Sequence, residues 1–93
     1  MEKKSKVAAL KYDREKDIAP KLIAKGNGYM AEKILEIAKE ENIPIYKDEK
    51  LVNQLNNLEL NEIIPKELYN VVAEVLAFIA SVDNSYNKIW VEK

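Results

Sequence analysis

The period at which apolar positions recur changes along the chain, and the changes divide it into elements. In KVAALKY, Ala8, Leu10 and Tyr12 share one face at period two, while Val7 and Ala9 share the other. A strand apolar on both faces belongs inside a sheet covered on both sides. The charged connection DREKDIAP leads to a second short strand, KLIAK, with Ile23 on one face and Leu22 and Ala24 on the other. The Gly-Asn-Gly stretch at 26–28 reads as a turn, with Asn27 placed to cap the element after it.

From 29 to 42 the period lengthens. Met30, Ile34, Ile37 and Ala38 recur at helical spacing, and Glu32, Lys33, Glu36, Lys39 and Glu40 take the wet side, which predicts an amphipathic helix. NIPIYKD ends it, because Pro44 cannot continue a helix, and supplies a third strand in which Ile43 and Ile45 share a face. Strand, helix and strand make a βαβ unit, with the second and third strands parallel. Asp48 is placed to cap a short helix carrying Leu51, Val52, Leu55 and Leu58. Ile63 and Ile64 before Pro65 suit the first turn of a last helix, which carries Leu68, Val72, Val75, Leu76 and Ile79 and reaches about Val82 before DNSYN breaks it. The tail with Trp90 either docks or frays. The expected class is α/β: a small mixed sheet of about three to four strands containing the βαβ unit, flanked by three to four helices.

Composition narrows the function more than the fold. Ninety-three residues with 47% hydrophobic and 33% charged side chains make one folded domain with a modest core. There is no cysteine and no histidine, which removes thiolate chemistry, the commonest general base and the commonest metal ligand. No run of about 18 apolar residues occurs, and Lys3, Lys4 and Lys6 are not followed by a signal-length apolar segment. The net charge of −1 is unevenly spread: the first 25 residues hold eight basic side chains against four acidic ones. A single arginine and scattered tyrosines give no stacking ladder for nucleic acid, so a solvated basic edge is the simpler reading.

Other candidate chemistry is thin. The turn at 26–28 lacks the third glycine of a dinucleotide loop and the Gly-Lys-Ser/Thr of a phosphate loop, so it reads as turn geometry. The acidic pairs Glu40 with Glu41 and Glu59 with Glu62 have no calcium-loop spacing and read as solvated faces. Trp90 suits packing better than an interface hot spot. No catalytic constellation, metal site or cofactor is expected.

Four stretches, VAALKYDRE, APKLIAKG, AEKILEIAKEENIPI and IPKELYNVVAEVLAFI, resemble the cytoplasmic domain of the FlhB family of export-switch proteins, which includes flagellar FlhB and the injectisome group of YscU, EscU and SpaS. The resemblance runs through residues 7–82 in order, and LKYD followed by AP-K-AKG is its most specific part. It implies a single FlhB-type domain over 1–93, without the membrane domain, the connecting helix or the strand that precedes the family's cleavage point. Family domains carry an Asn-Pro-Thr-His turn there, whose Asn side-chain amide attacks its own backbone carbonyl in a strained loop. The matching positions hold Glu2, Lys3, Lys4 and Ser5, so self-cleavage is not expected.

For function, the resemblance implies a non-enzymatic cytoplasmic component or modulator of flagellar and type III protein export, free or peripheral at the membrane through the export apparatus. Its implied partners are membrane-bound FlhB, other export-gate components and rod- or hook-type substrates, with no nucleic acid and no membrane insertion. The family's substrate-receiving hydrophobic patch falls on Ala19, Pro20, Ala73 and Leu76, all apolar, although Ala73 and Leu76 equally suit core packing. The missing preceding strand implies an acceptor edge along 7–12, open to a partner's strand. The chain would either substitute for the C-terminal fragment of FlhB or compete with it. The reading from a different class is a small α/β binding module, for RNA for instance, acting through the basic first 25 residues with salt-dependent affinity.

Overall fold

The computed structural model of the chain describes residues 5–13, 15–82 and 88–93, with side chains as far as Ala77 and again from Lys88. Four strands form one mixed sheet: β1 (Lys6–Lys11), β2 (Lys21–Asn27), β3 (Ile45–Lys47) and β4 (Lys88–Glu92). Their spatial order is β2-β1-β4-β3. β1 runs antiparallel to both β2 and β4, and β3 runs parallel to β4. Helix α1 (Tyr29–Glu40) covers one face, and α2 (Glu49–Leu55) and α3 (Tyr69–Val82) lie on the other. The expected α/β class and mixed sheet are present.

The two-faced apolar pattern of β1 is used as its periodicity requires. Ala8 and Leu10 join Leu51, Val52, Leu55, Val72 and Val75 in the larger core, while Val7 and Ala9 meet Ala31 and Ala38 in a smaller one. A bulge interrupts the register, so that Ala9 faces Ala24 but Leu10 faces Leu22. The extra residue, Ile23, breaks the alternation, and Ile23 and Ala24 both pack on the α1 side. This corrects the expected split of Leu22 with Ala24 against Ile23.

Strand order decides three further expectations. β2 and β3 do run in the same direction, but β1 and β4 lie between them, so the βαβ crossover joins the two edges of the sheet. The tail docks as β4, and its Trp90 is buried, with 6% exposure, donating its indole N–H to the Ile34 carbonyl at 3.1 Å. The acceptor edge expected along 7–12 therefore does not exist: β1 is an interior strand with β2 on one side and β4 on the other.

Helix α1 is rotated from the expected stripe. Ala31 and Ala38 are buried and Ile34 and Leu35 pack beside them, while Met30 and Ile37 are 59% and 46% exposed. The cause is close approach to β2. A Cβ on Gly26 would stand 3.0 Å from Ile34 Cδ1 and 3.2 Å from the Ala31 nitrogen, so the small Ala31 face turns inward there. Asn27 belongs to β2 and does not cap the helix. Gly28 takes the N-cap position with φ 58°, a conformation that suits glycine, and its carbonyl accepts from the Glu32 N–H.

At the other end, Asn42 is left-handed (φ 57°), Ile43 N–H donates to the Ala38 carbonyl at 2.8 Å, and Asn42 N–H reaches Lys39 O. This Schellman closure directs the chain through Pro44 into β3. Asp48 caps α2 as expected, accepting from the Leu51 N–H at 3.0 Å. The last helix is preceded by a separate 3-10 turn, Lys66–Leu68, with Pro65 at its N-cap position, so Pro65 lies ahead of α3 rather than in its first turn.

Candidate functional site

The turn after β1 is built from carboxylates. Lys16 and Asp17 N–H groups donate to the Asp13 carbonyl, the Glu15 N–H to Asp13 Oδ1, and the Asp13 N–H to Asp17 Oδ2. Satisfying one another locally, these groups reverse the chain and bring Ile18, Ala19 and Pro20 back to the start of β2. A second segment then locks against the first. Leu22 N–H donates to Glu62 O, Asn61 N–H to Leu22 O and Ile64 N–H to Pro20 O, with Asn61 left-handed at φ 69°. These bonds set Ile64 beside Pro20, and Pro65 turns the chain into the 3-10 turn and α3. Tyr69, Val72, Ala73 and Leu76 recur at helical spacing on α3, on the side that meets Pro20.

The result is an apolar cleft of about 180 Å³ lined by Tyr12, Ile18, Ala19, Pro20 and Ile64 and by the Tyr69, Val72, Ala73 and Leu76 face of α3. All four residues marked from the sequence, Ala19, Pro20, Ala73 and Leu76, line it. Ala19 and Pro20 are buried, Leu76 is half-buried and also packs on the larger core, and Ala73 is exposed. On α3 the exposed Ala73 and the buried Val72 both line the cleft. Sequence reasoning missed Tyr12, Ile18, Ile64, Tyr69 and Val72. Ile18 carried a signal: it is the single large apolar residue in a charged connection, and it stands 87% exposed at the rim.

The chemistry available is that of apolar contact. Small-molecule pockets run to roughly 300–1,000 Å³, so a cleft of this size suits one or two apolar side chains of a polypeptide better than a cofactor. The other sequence candidates sit elsewhere. Glu62 Oε1 accepts from the Glu59 N–H at 2.8 Å, closing the turn between them, and Glu40 and Glu41 are exposed at the end of α1. Among the described residues no three acidic side chains gather as a metal site. Two lysines of the basic first 25 residues are committed to structure: Lys6 Nζ donates to Asn53 Oδ1, and Lys25 Nζ to the Asn56 and Leu58 carbonyls beyond α2. Of the positions matching the cleavage turn, Glu2, Lys3 and Lys4 lie outside the described residues. Ser5 O accepts from the Gly28 N–H, at the foot of β1. No helix among the described residues is long and apolar enough to cross a membrane.

Comparison with known proteins identifies the family and the fold. The profile of the FlhB HrpN YscU SpaS family matches residues 6–79. The chain is 42% identical over 80 residues to YlqH of Bacillus subtilis, an uncharacterized protein, covering 86% of each. It is 44% identical over 72 residues to the flagellar biosynthetic protein FlhB of Escherichia coli, covering 76% of this chain but 19% of that protein. Thus it spans most of YlqH and about a fifth of FlhB. Among solved structures, the PscU C-terminal domain superimposes with TM-score 0.73 at 27% identity, over 77% of this chain and 92% of that one. A mutated EscU C-terminal domain shares the fold, with TM-score 0.77 at 22% identity, over 82% and 93% of the two chains.

Proposed function

From the premise that the chain belongs to the FlhB, HrpN, YscU and SpaS family, we propose that it is a cytoplasmic binding module of flagellar or type III protein export. It receives an apolar side chain of an export substrate's N-terminal segment in the cleft between Pro20 and α3. The observation that carries the reading is convergence: Ala19, Pro20, Ala73 and Leu76 come from segments more than fifty residues apart and line one opening. Membrane-bound FlhB and the export gate are its natural partners, and it acts by binding. None of its three prolines follows an asparagine and it holds no histidine, so the chain itself has no Asn-Pro-Thr-His turn with which to cut. In this role it either stands in for the C-terminal fragment of FlhB or competes with it. Overexpression separates the two, since a substitute leaves hook length unchanged and a competitor disturbs it.

The direct test is a peptide-binding titration. Ala73→Asp places a carboxylate in an apolar opening, where burying it without a partner is costly. Affinity for an N-terminal peptide of a rod or hook substrate should fall about tenfold or more, equivalent to at least ~1.4 kcal/mol. Circular dichroism should stay unchanged, because position 73 is exposed. Unchanged affinity would remove the cleft from the binding site.

A further inference from the structure

Lys11 stands opposite Lys21 on one side and opposite Lys88 on the other, at one end of the adjoining strands β2, β1 and β4. Their neighbours in the chain, Leu10, Leu22 and Ile89, all enter the larger core. Side chains alternate along a strand, so the three lysines share the opposite face, which α1 covers further along at Val7 and Ala9. Directly opposed residues have Cβ atoms about 5 Å apart, so the row seats three half-buried lysine stems within about 10 Å. Like charges placed in this way destabilise a sheet. The described residues hold one ion pair, Lys93 with Glu49, and none of the three takes part in it. The carboxylates of the adjoining turn, Asp13 and Asp17, accept N–H groups of the turn itself. Lys6 and Lys25, on the same two strands, are by contrast each held by oxygen acceptors. From this row we infer that the sheet face at Lys11, Lys21 and Lys88 binds an acidic polypeptide segment, whose carboxylates supply the missing counter-charge.

The row selects among anions. Its cations are ammonium point charges without the guanidinium fork that matches phosphate, and no aromatic side chain interrupts them, so the bases of a nucleic acid have nothing to stack on. A lipid surface is flat, whereas α1 rises from this same sheet face beside the row. An extended peptide fits both the recess and the spacing. Alternate side chains of such a segment repeat at about 6.7 Å on one side, so two acidic residues separated by one other span the three lysines. The ligand is therefore a segment with acidic residues at alternate positions, lying across the strands. The inference rests on charge placement and is independent of the cleft, whose lining lies on the α3 side.

The test is a titration of the full chain with a fluorescent peptide of alternating glutamate and serine, at about 0.1 M salt, where charges more than about 10 Å away are screened. Each exposed ion pair is worth a factor of roughly two to five, so Lys11→Gln, Lys21→Gln and Lys88→Gln together should lower affinity roughly tenfold. Arginine at the same three positions keeps the charge and should keep the binding. Neutralising Lys33, Lys47 and Lys50, which are exposed elsewhere, changes the net charge equally and should leave affinity within about twofold. The triple glutamine variant should melt no lower than the unaltered chain, and the peptide should raise Tm for the unaltered chain alone. No binding to the unaltered chain, undiminished binding to the glutamine variant, loss with the arginine variant, or an equal loss on neutralising Lys33, Lys47 and Lys50 would overturn the inference. So would a uridine oligonucleotide or a phosphatidylserine vesicle that binds these lysines more tightly than the peptide.

Discussion

At the scale of single residues, Trp90 ties the tail strand to helix α1. Its ring fills the smaller core beside Val7, Ala9 and Ala31, and its N–H reaches into helix α1 at Ile34 O. Trp90→Phe keeps most of the apolar volume and loses the hydrogen bond, so unfolding by urea should register a loss of about 1 kcal/mol. Trp90→Ala also empties the core and should cost about 3–5 kcal/mol. Equal costs for the two variants would show that the ring volume contributes nothing beyond the bond. Ala73 has the opposite character, since it lines the cleft and is exposed. On the proposed function, Ala73→Asp should change binding without changing stability, which makes it the informative position to mutate.

At the scale of elements, helix ends and turns do much of the positioning. The Asp48 side chain caps α2 in the short run from β3, and Asp48→Ala should lower stability by about 0.5–2 kcal/mol in thermal or urea unfolding. A change below the error of the measurement would mean that the packing of Leu51, Val52 and Leu55 alone sets the helix. This cap was legible from the sequence because Asp48 stands three residues ahead of Leu51 and Val52, at the start of their helical spacing. So was the two-faced character of β1, since its alternation requires cover on both sides whatever supplies it. Other features were hidden for physical reasons. The rotation of α1 depends on how closely Gly26 lets the helix approach, a tertiary contact that both helical stripes of α1 satisfy equally in one dimension. The bulge at Ile23 adds one residue that no periodicity marks. The central place of β4 depends on which strand pairs with which, and a short run such as KIWVE carries no address.

At the scale of the whole molecule, the tail strand and the cleft occupy different places. β4 completes the sheet between β1 and β3, whereas the cleft lies where the turn before β2 meets α3. The four cleft positions marked from the sequence came from the family resemblance rather than from periodicity. Their convergence depended on two backbone lockings, at Pro20 with Ile64 and at Leu22 with Asn61 and Glu62, that no local pattern reveals. On the proposed function, binding at the cleft should therefore be removable while the completed sheet is left intact. The measurement that tests this most directly is a secretion assay in the organism the chain comes from. There, FlhB would be truncated before its cleavage turn and this chain supplied in trans, unaltered or as Ala73→Asp. Export of hook protein restored by the unaltered chain and lost with Ala73→Asp, both accumulating to the same level, is the expected result for a substitute that works through the cleft. Equal export with both chains would contradict a working cleft, and no export with either, both folded, would contradict substitution for the FlhB fragment.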